Sequence, residues 1–127
     1  MRYNVRFFRP EEFICPCCGQ GSMAYSLVFF LDLFRAAWGA PVRVNSGYRC
    51  EAHNKEVGGA ESSRHLLGCA ADIAPFCWDI GHFKSLARRM FSIPGWELKE
   101  YAHFIHVAVP RDEAARAGWN GNPILFA

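Results

Sequence analysis

His65 and Asp72 are the pair whose types and spacing first point to shared chemistry. They lie seven residues apart in the stretch 44–72, VNSGYRCEAHNKEVGGAESSRHLLGCAAD, among small residues and turn formers. On a continuous helix that spacing is two turns, about 10.5 Å along the axis, too far for one ion. Donors to a single zinc each lie roughly 2.0–2.2 Å from it, so a shared metal requires the chain between them to fold back. Gly68 stands where such a reversal is easiest, because glycine accepts positive φ without steric cost. The pair still needs a third ligand.

Residues 102–109, AHFIHVAV, read as a strand stopped by Pro110. Side chains alternate along a strand, so Phe104, His106 and Ala108 share one face and His103, Ile105 and Val107 the other. His103 and His106 therefore cannot both ligate one metal from a regular strand. His106, flanked by apolar residues, is the better third ligand; His103 could join only from a bulge or the preceding loop. Two imidazoles and a carboxylate suit zinc, and three protein ligands leave a fourth position for water, the mark of a catalytic site. Zinc-activated water and a polarised carbonyl would make amide hydrolysis the natural chemistry. The alternative is that His65 and His106 are separate structural histidines. Asp72, a carboxylate in the small apolar run 69–74, would be satisfied equally by a salt bridge or a hydrogen-bonded turn.

The elements that must position these residues follow from periodicity. Residues 1–21 form an irregular N-terminal segment with a turn at Pro10 and a Cys/Gly-rich loop. Ser22 is the expected N-cap of a helix on which Leu27, Phe30, Leu31, Phe34 and Trp38 recur at helical spacing, ended by Gly39 and Pro41. Residues 41–45 alternate as a short half-buried strand, stopped at Ser46-Gly47. Residues 51–57 make a short helix ended by Gly58-Gly59. Asp79 caps a second long helix with Ile80, Phe83, Ala87 and Met90 on one face, which leaves His82 at the surface. A turn at Pro94-Gly95 leads into a strand over 96–98, and a short helix over 112–117 precedes an extended end. The expected class is α+β, a small antiparallel sheet flanked by helices, in a single domain spanning residues 1–127.

Composition sets limits. The chain has 127 residues, 51% of them hydrophobic and 15% aromatic, enough for a substantial core and against disorder. A formal charge of +2 without a basic block argues against a nucleic-acid partner. The apolar run 27–34 is broken by Asp32 and too short for a membrane span. The N-terminal residues lack the apolar core and cleavage site of a secretory signal, so the expected product is a soluble monomer made in the cytoplasm. Six cysteines (15, 17, 18, 50, 69 and 77) are then expected as reduced thiols. Cys15-Pro-Cys17-Cys18-Gly invites a zinc-ribbon reading, but no second C-x-x-C pair follows, so buried or loop thiols are the expectation.

The residues also carry a resemblance. Ser46-Gly47-Tyr48-Arg49, Val57-Gly58-Gly59-Ala60, Ser63-x-His65-x-x-Gly68-x-Ala70-x-Asp72 and Phe104-x-His106-Val107 resemble the zinc D-Ala-D-Ala carboxypeptidase family. That family includes phage endolysins cutting L-alanyl-D-glutamate bonds, and its fold is Hedgehog-like. The match runs from about Phe13 to Val109, in the carboxypeptidase-like branch. It implies zinc on His65, Asp72 and His106, with Arg49 holding the substrate peptide and Ser63 lining the same cleft. Arg49 could equally be a structural salt-bridge residue, although its planar fork suits a carboxylate.

Two positions depart from the family pattern. Relatives commonly place an acidic general base three residues before the last ligand; here that residue is His103, which the resemblance makes the catalytic base, with Glu97 or Glu100 as alternatives. Many relatives also carry an Asp two residues after the last ligand, where this chain has Ala108. The expected function is a zinc metallopeptidase acting on peptidoglycan stem peptides or cross-links, as carboxypeptidase or endopeptidase. Its place of action would be the cell wall, reached after release or as a phage or prophage component. The alternative is a non-catalytic zinc-containing module of the same fold that binds cell wall or protein.

Overall fold

The structure is a computed structural model and describes residues 1–76 and 79–126. In chain order its elements are β1 (Arg2–Tyr3), β2 (Met23–Ala24), α1 (Tyr25–Trp38), β3 (Val42–Ser46), α2 (Glu51–Glu56), β4 (Ala70–Pro75), α3 (Ile80–Phe91), β5 (Glu97–Glu100), β6 (Ile105–Ala108), β7 (Ala117–Trp119) and β8 (Ile124–Leu125). Three 3-10 turns, Pro10–Phe13, Arg64–Leu67 and Arg111–Arg116, complete the set. The four longer strands form one antiparallel sheet in the order β3-β4-β6-β5, while β1 pairs with β8 and β2 with β7.

The sheet has two unlike faces because its central strands alternate. Ala71 and Ile73 of β4 and Ile105 and Val107 of β6 belong to the core, where Leu27, Leu31 and Phe34 of α1 and Phe83, Ala87 and Phe91 of α3 cover them. Phe34 meets Phe83 edge-on at 5.0 Å between centroids, so the two helices are tied through aromatic contact as well as burial. The opposite face carries Asp72, His106 and Glu97, and the chemistry sits there. Asp79 caps α3 by accepting the His82 N–H, and His82 is exposed, as the spacing predicts.

Ser22 does not cap α1. The pairing of β2 with β7 keeps Met23 and Ala24 extended, and the Ala24 N–H donates to the Gly68 carbonyl at 2.9 Å, so the helix starts only at Tyr25. Asp32, which interrupts the apolar run, is fully buried. It accepts bonds from the Tyr3 hydroxyl (2.6 Å) and the Phe7 N–H (2.9 Å), tying the N-terminal segment to the middle of α1. Among the described residues, no helix is long and apolar enough to cross a membrane.

Candidate metal centre

Backbone geometry delivers the three ligand-type residues to one point. His65 lies in the Arg64–Leu67 turn, its N–H donating to the Ser63 Oγ at 3.2 Å. Gly68 ends that turn with φ +70°, and a Cβ there would meet the Ser22 carbonyl oxygen at 1.8 Å. A left-handed residue without a side chain is therefore required, and it sends the chain back along β4 so that Asp72 returns beside His65. Asp72 and His106 are direct cross-strand partners in the β4–β6 ladder. All three residues are buried, and one ligand atom from each lies within 4.8 Å of the other two.

Hydrogen-bond partners assign the tautomers of both imidazoles. His65 Nδ1 stands 2.7 Å from the Gly47 carbonyl oxygen, which only accepts, so Nδ1 carries the proton and Nε2 presents a lone pair. Gly47 permits this contact because the chain passes so close to Phe13 that a Cβ would lie 2.7 Å from its Cα. His106 Nε2 stands 3.0 Å from Glu97 Oε1, so its Nδ1 presents the other lone pair. Both lone pairs face Asp72 Oδ1, at 3.2 Å from His65 Nε2 and 3.0 Å from His106 Nδ1. Three acceptors thus converge with no donor among them. Satisfying them with protons would set two imidazolium rings, 5.2 Å apart between centroids, beside one carboxylate. A single cation satisfies all three, and the donor set of two imidazoles and one carboxylate fits zinc.

The second carboxylate oxygen is held separately. Arg49 Nη2 lies 3.2 Å from Asp72 Oδ2, leaving Oδ1 for the ion. Arg49 faces the cleft, yet its Nε donates to Ser46 Oγ (3.0 Å) and its Nη1 to Asn54 Oδ1 (3.2 Å), so its fork is occupied within the protein. Burial works to raise the Asp72 carboxyl, but in the metal-free protein, where the imidazoles can take up protons towards Oδ1, hydrogen bonds and charge from His106 and His65 outweigh it and hold the group well below the usual carboxylate range. Burial also works to raise Glu97, and His106 with the positive charge of Arg64 overcomes it, so Glu97 too is lowered. Both carboxylates are ionised at neutral pH.

These groups line a cleft of about 430 Å³ open to solvent. Ser63, Arg49 and Glu97 face it, as do Tyr101 and Phe104, whose rings stack at 4.6 Å. His103 is exposed in the turn before β6 and is not among the residues lining the cleft. Glu100 is engaged by Arg88 on α3. Among the described residues, Glu97 is therefore the carboxylate, besides Asp72, that the fold brings to the centre. Local alternation marks the strand that contains Glu97 but not its hydrogen bond to His106. The offset that sets Glu97 opposite Ala108 is a matter of β5–β6 register, which local pattern does not encode.

Comparisons with known proteins concern the family and the fold. The sequence model described as Peptidase M15 matches residues 6–108. A stretch of 44 residues is 48% identical to the zinc D-Ala-D-Ala carboxypeptidase of Streptomyces albus G, covering 34% of this chain and 17% of that protein. The structure of the Serratia marcescens L-Ala D-Glu endopeptidase ChiX is similar with a TM-score of 0.53 at 23% identity, over 72% of this chain and 84% of that one.

Proposed function

The chain belongs to the Peptidase M15 family, and from that premise we propose that it is a zinc metallopeptidase hydrolysing peptide bonds in peptidoglycan stem peptides or cross-links. One observation carries the reading: the lone pairs of His65 Nε2 and His106 Nδ1 and the Asp72 Oδ1 converge, without a proton among them, on the wall of an open cleft. Zinc bound there would supply Lewis acidity, polarising the scissile carbonyl and making water a better nucleophile.

The remaining roles belong to the chain's own side chains. His65 and His106 are held in the ligating tautomer by Gly47 and Glu97, and Arg49 fixes the rotation of Asp72. Glu97 is the proton acceptor in this reading, because it is an ionised carboxylate on the cleft wall; its Oε1 holds His106 Nε2 and its Oε2 lies 3.5 Å from Arg64 Nε, so taking up a proton means releasing one of these partners. His103, the acceptor expected from the position before the last ligand, would act only from the exposed rim. Lys99 and Arg111 also line the cleft and, among the described residues, stand in no ion pair. They are placed to receive the carboxylates of a stem peptide, a task that the internally engaged Arg49 is less able to perform. Ser63 contributes a hydroxyl to the same wall.

The test is a digest of muropeptides by the zinc-loaded protein, read by mass spectrometry. New peptide products are expected from wild type and none from His65→Ala. An inert wild type, or an undiminished His65→Ala, would overturn the reading.

A further inference from the structure

A second cluster of ligand-type atoms lies outside the cleft. The sulfurs of Cys15, Cys18 and Cys50 lie within 4.8 Å of one another, although Cys50 is far along the chain from the other two. The sequence shows one C-x-x-C knuckle, Cys15–Cys18, without a second. The fold supplies the missing side by crossing the N-terminal loop over the Ser46–Cys50 segment: the Tyr48 N–H donates to the Phe13 carbonyl at 3.0 Å. Cys15 is fully buried at the base of a tight turn in which the Gly19 N–H bonds the Cys15 carbonyl (2.8 Å) and the Cys15 N–H bonds that of Gln20 (2.7 Å).

We propose that Cys15, Cys18 and Cys50, with Cys17 as the fourth donor, form a structural zinc site that pins the N-terminal loop to the start of α2. Cys15 Sγ and Cys50 Sγ are 3.7 Å apart. Two thiolates on one tetrahedral zinc, each about 2.3 Å from it, stand about 3.8 Å apart. A disulfide would need about 2.05 Å. The separation is too long for a disulfide and matches that of co-ligands, as well as that of two thiols sharing a proton. Cys17 is exposed beside Cys18, outside the group of three, and would complete the set by turning inward.

The surroundings suit thiolates. The His53 N–H donates to Cys50 Sγ at 3.4 Å, and Cys15 Sγ lies beside it at 3.7 Å. Burial alone would raise the Cys15 thiol, yet the neighbouring main chain and the Cys50 thiol hold it down at about 6, as ligation requires. Cys69, by contrast, lies apart from the cluster, and burial pushes its thiol up to about 11. Binding exchanges the thiol protons for the ion, so zinc uptake releases acid. The reading is independent of catalysis, since none of these thiols lines the cleft.

The experiment uses the intact protein, purified under reducing conditions, with metal content measured and cobalt substituted for zinc. Two zinc equivalents are expected in wild type, one in His65→Ala and one in Cys50→Ser. The cobalt form of His65→Ala should keep intense near-ultraviolet thiolate-to-metal absorption, and Cys50→Ser should lose it. Should Cys50→Ser fail to fold, the cobalt spectrum of His65→Ala decides alone. A wild type with one equivalent and no thiolate absorption, or an intact mass showing Cys15 and Cys50 oxidised to a disulfide under those conditions, overturns the proposal. Absence of muropeptide cleavage would leave this result untouched.

Discussion

Glu97 and Ala108 face each other across the β5–β6 ladder, and the Glu97 carboxylate reaches from there to His106 Nε2 at 3.0 Å. The resemblance leads one to expect an Asp at position 108, two residues after the last ligand. Here the neighbouring strand supplies the carboxylate. Removing such a partner of a ligating histidine typically costs 10–100-fold, on the order of 1–3 kcal/mol, in metal affinity. Glu97→Ala should therefore weaken zinc binding at the cleft by about that factor, and Ala108→Asp on the same background should restore part of it. Competition against a chromophoric chelator measures both. Unchanged affinity in Glu97→Ala would remove the orienting role.

Proton transfer separates the two candidate acceptors. Glu97→Gln keeps shape and hydrogen-bonding capacity but removes the base, so turnover of a muropeptide should fall by about 10²-fold or more. His103→Ala should leave it within a few-fold. The reverse pattern in kcat would return the role to His103.

Arg49 and Asp72 are both largely buried, and truncating one partner leaves the other charge uncompensated. Arg49→Ala should destabilise the metal-free protein by roughly 3–5 kcal/mol. Zinc should recover part of that loss, since it supplies positive charge to Asp72. Thermal melts with and without chelator report the difference; equal losses in both would show that Arg49 does not act through Asp72.

Acid stability follows from the lowered carboxyls. A carboxyl whose native value is depressed contributes stability that is present above its unfolded value, about 4 for Asp and Glu, and is lost as pH falls through the native value. Asp72 and Glu97 are both lowered, so the metal-free protein should lose stability progressively below about pH 4. Asp72→Asn should flatten that limb. A melting temperature with the same acid slope in Asp72→Asn would assign the effect to other groups.

Gly68→Ala tests the turn that returns the chain to the site. The left-handed backbone alone costs roughly 1–2 kcal/mol for a residue with a Cβ. Collision with the Ser22 carbonyl adds to it, so the melting temperature should drop by several degrees and zinc affinity should fall with it. Wild-type values for both would mean that the turn tolerates a side chain.

Much of this was legible in residue order. Helical spacing located α1 and α3, alternation located β3 and β6, and Gly68 marked the reversal between His65 and Asp72. The family resemblance fixed the fold expectation, which the small antiparallel sheet and its flanking helices match. What escaped was long-range. The N-terminus of α1 is set by strand pairing with a segment near the other end of the chain, so Ser22 gave a misleading local signal. Asp32 reads as an interruption of an apolar helix until Tyr3, Arg6 and Phe7 are folded onto it. Cys50 reads as an isolated cysteine until the N-terminal loop crosses over it. In each case the missing information was which distant backbone lies alongside.

Because Asp72 and His106 are opposed in the β4–β6 ladder, a slide of one strand by a single residue would turn one of them to the core face and dissolve the centre. The portable unit is therefore small: two registered strands, a glycine reversal and a carbonyl behind one imidazole. A protein designer could transplant those parts into an unrelated antiparallel sheet and judge the graft by metal affinity alone.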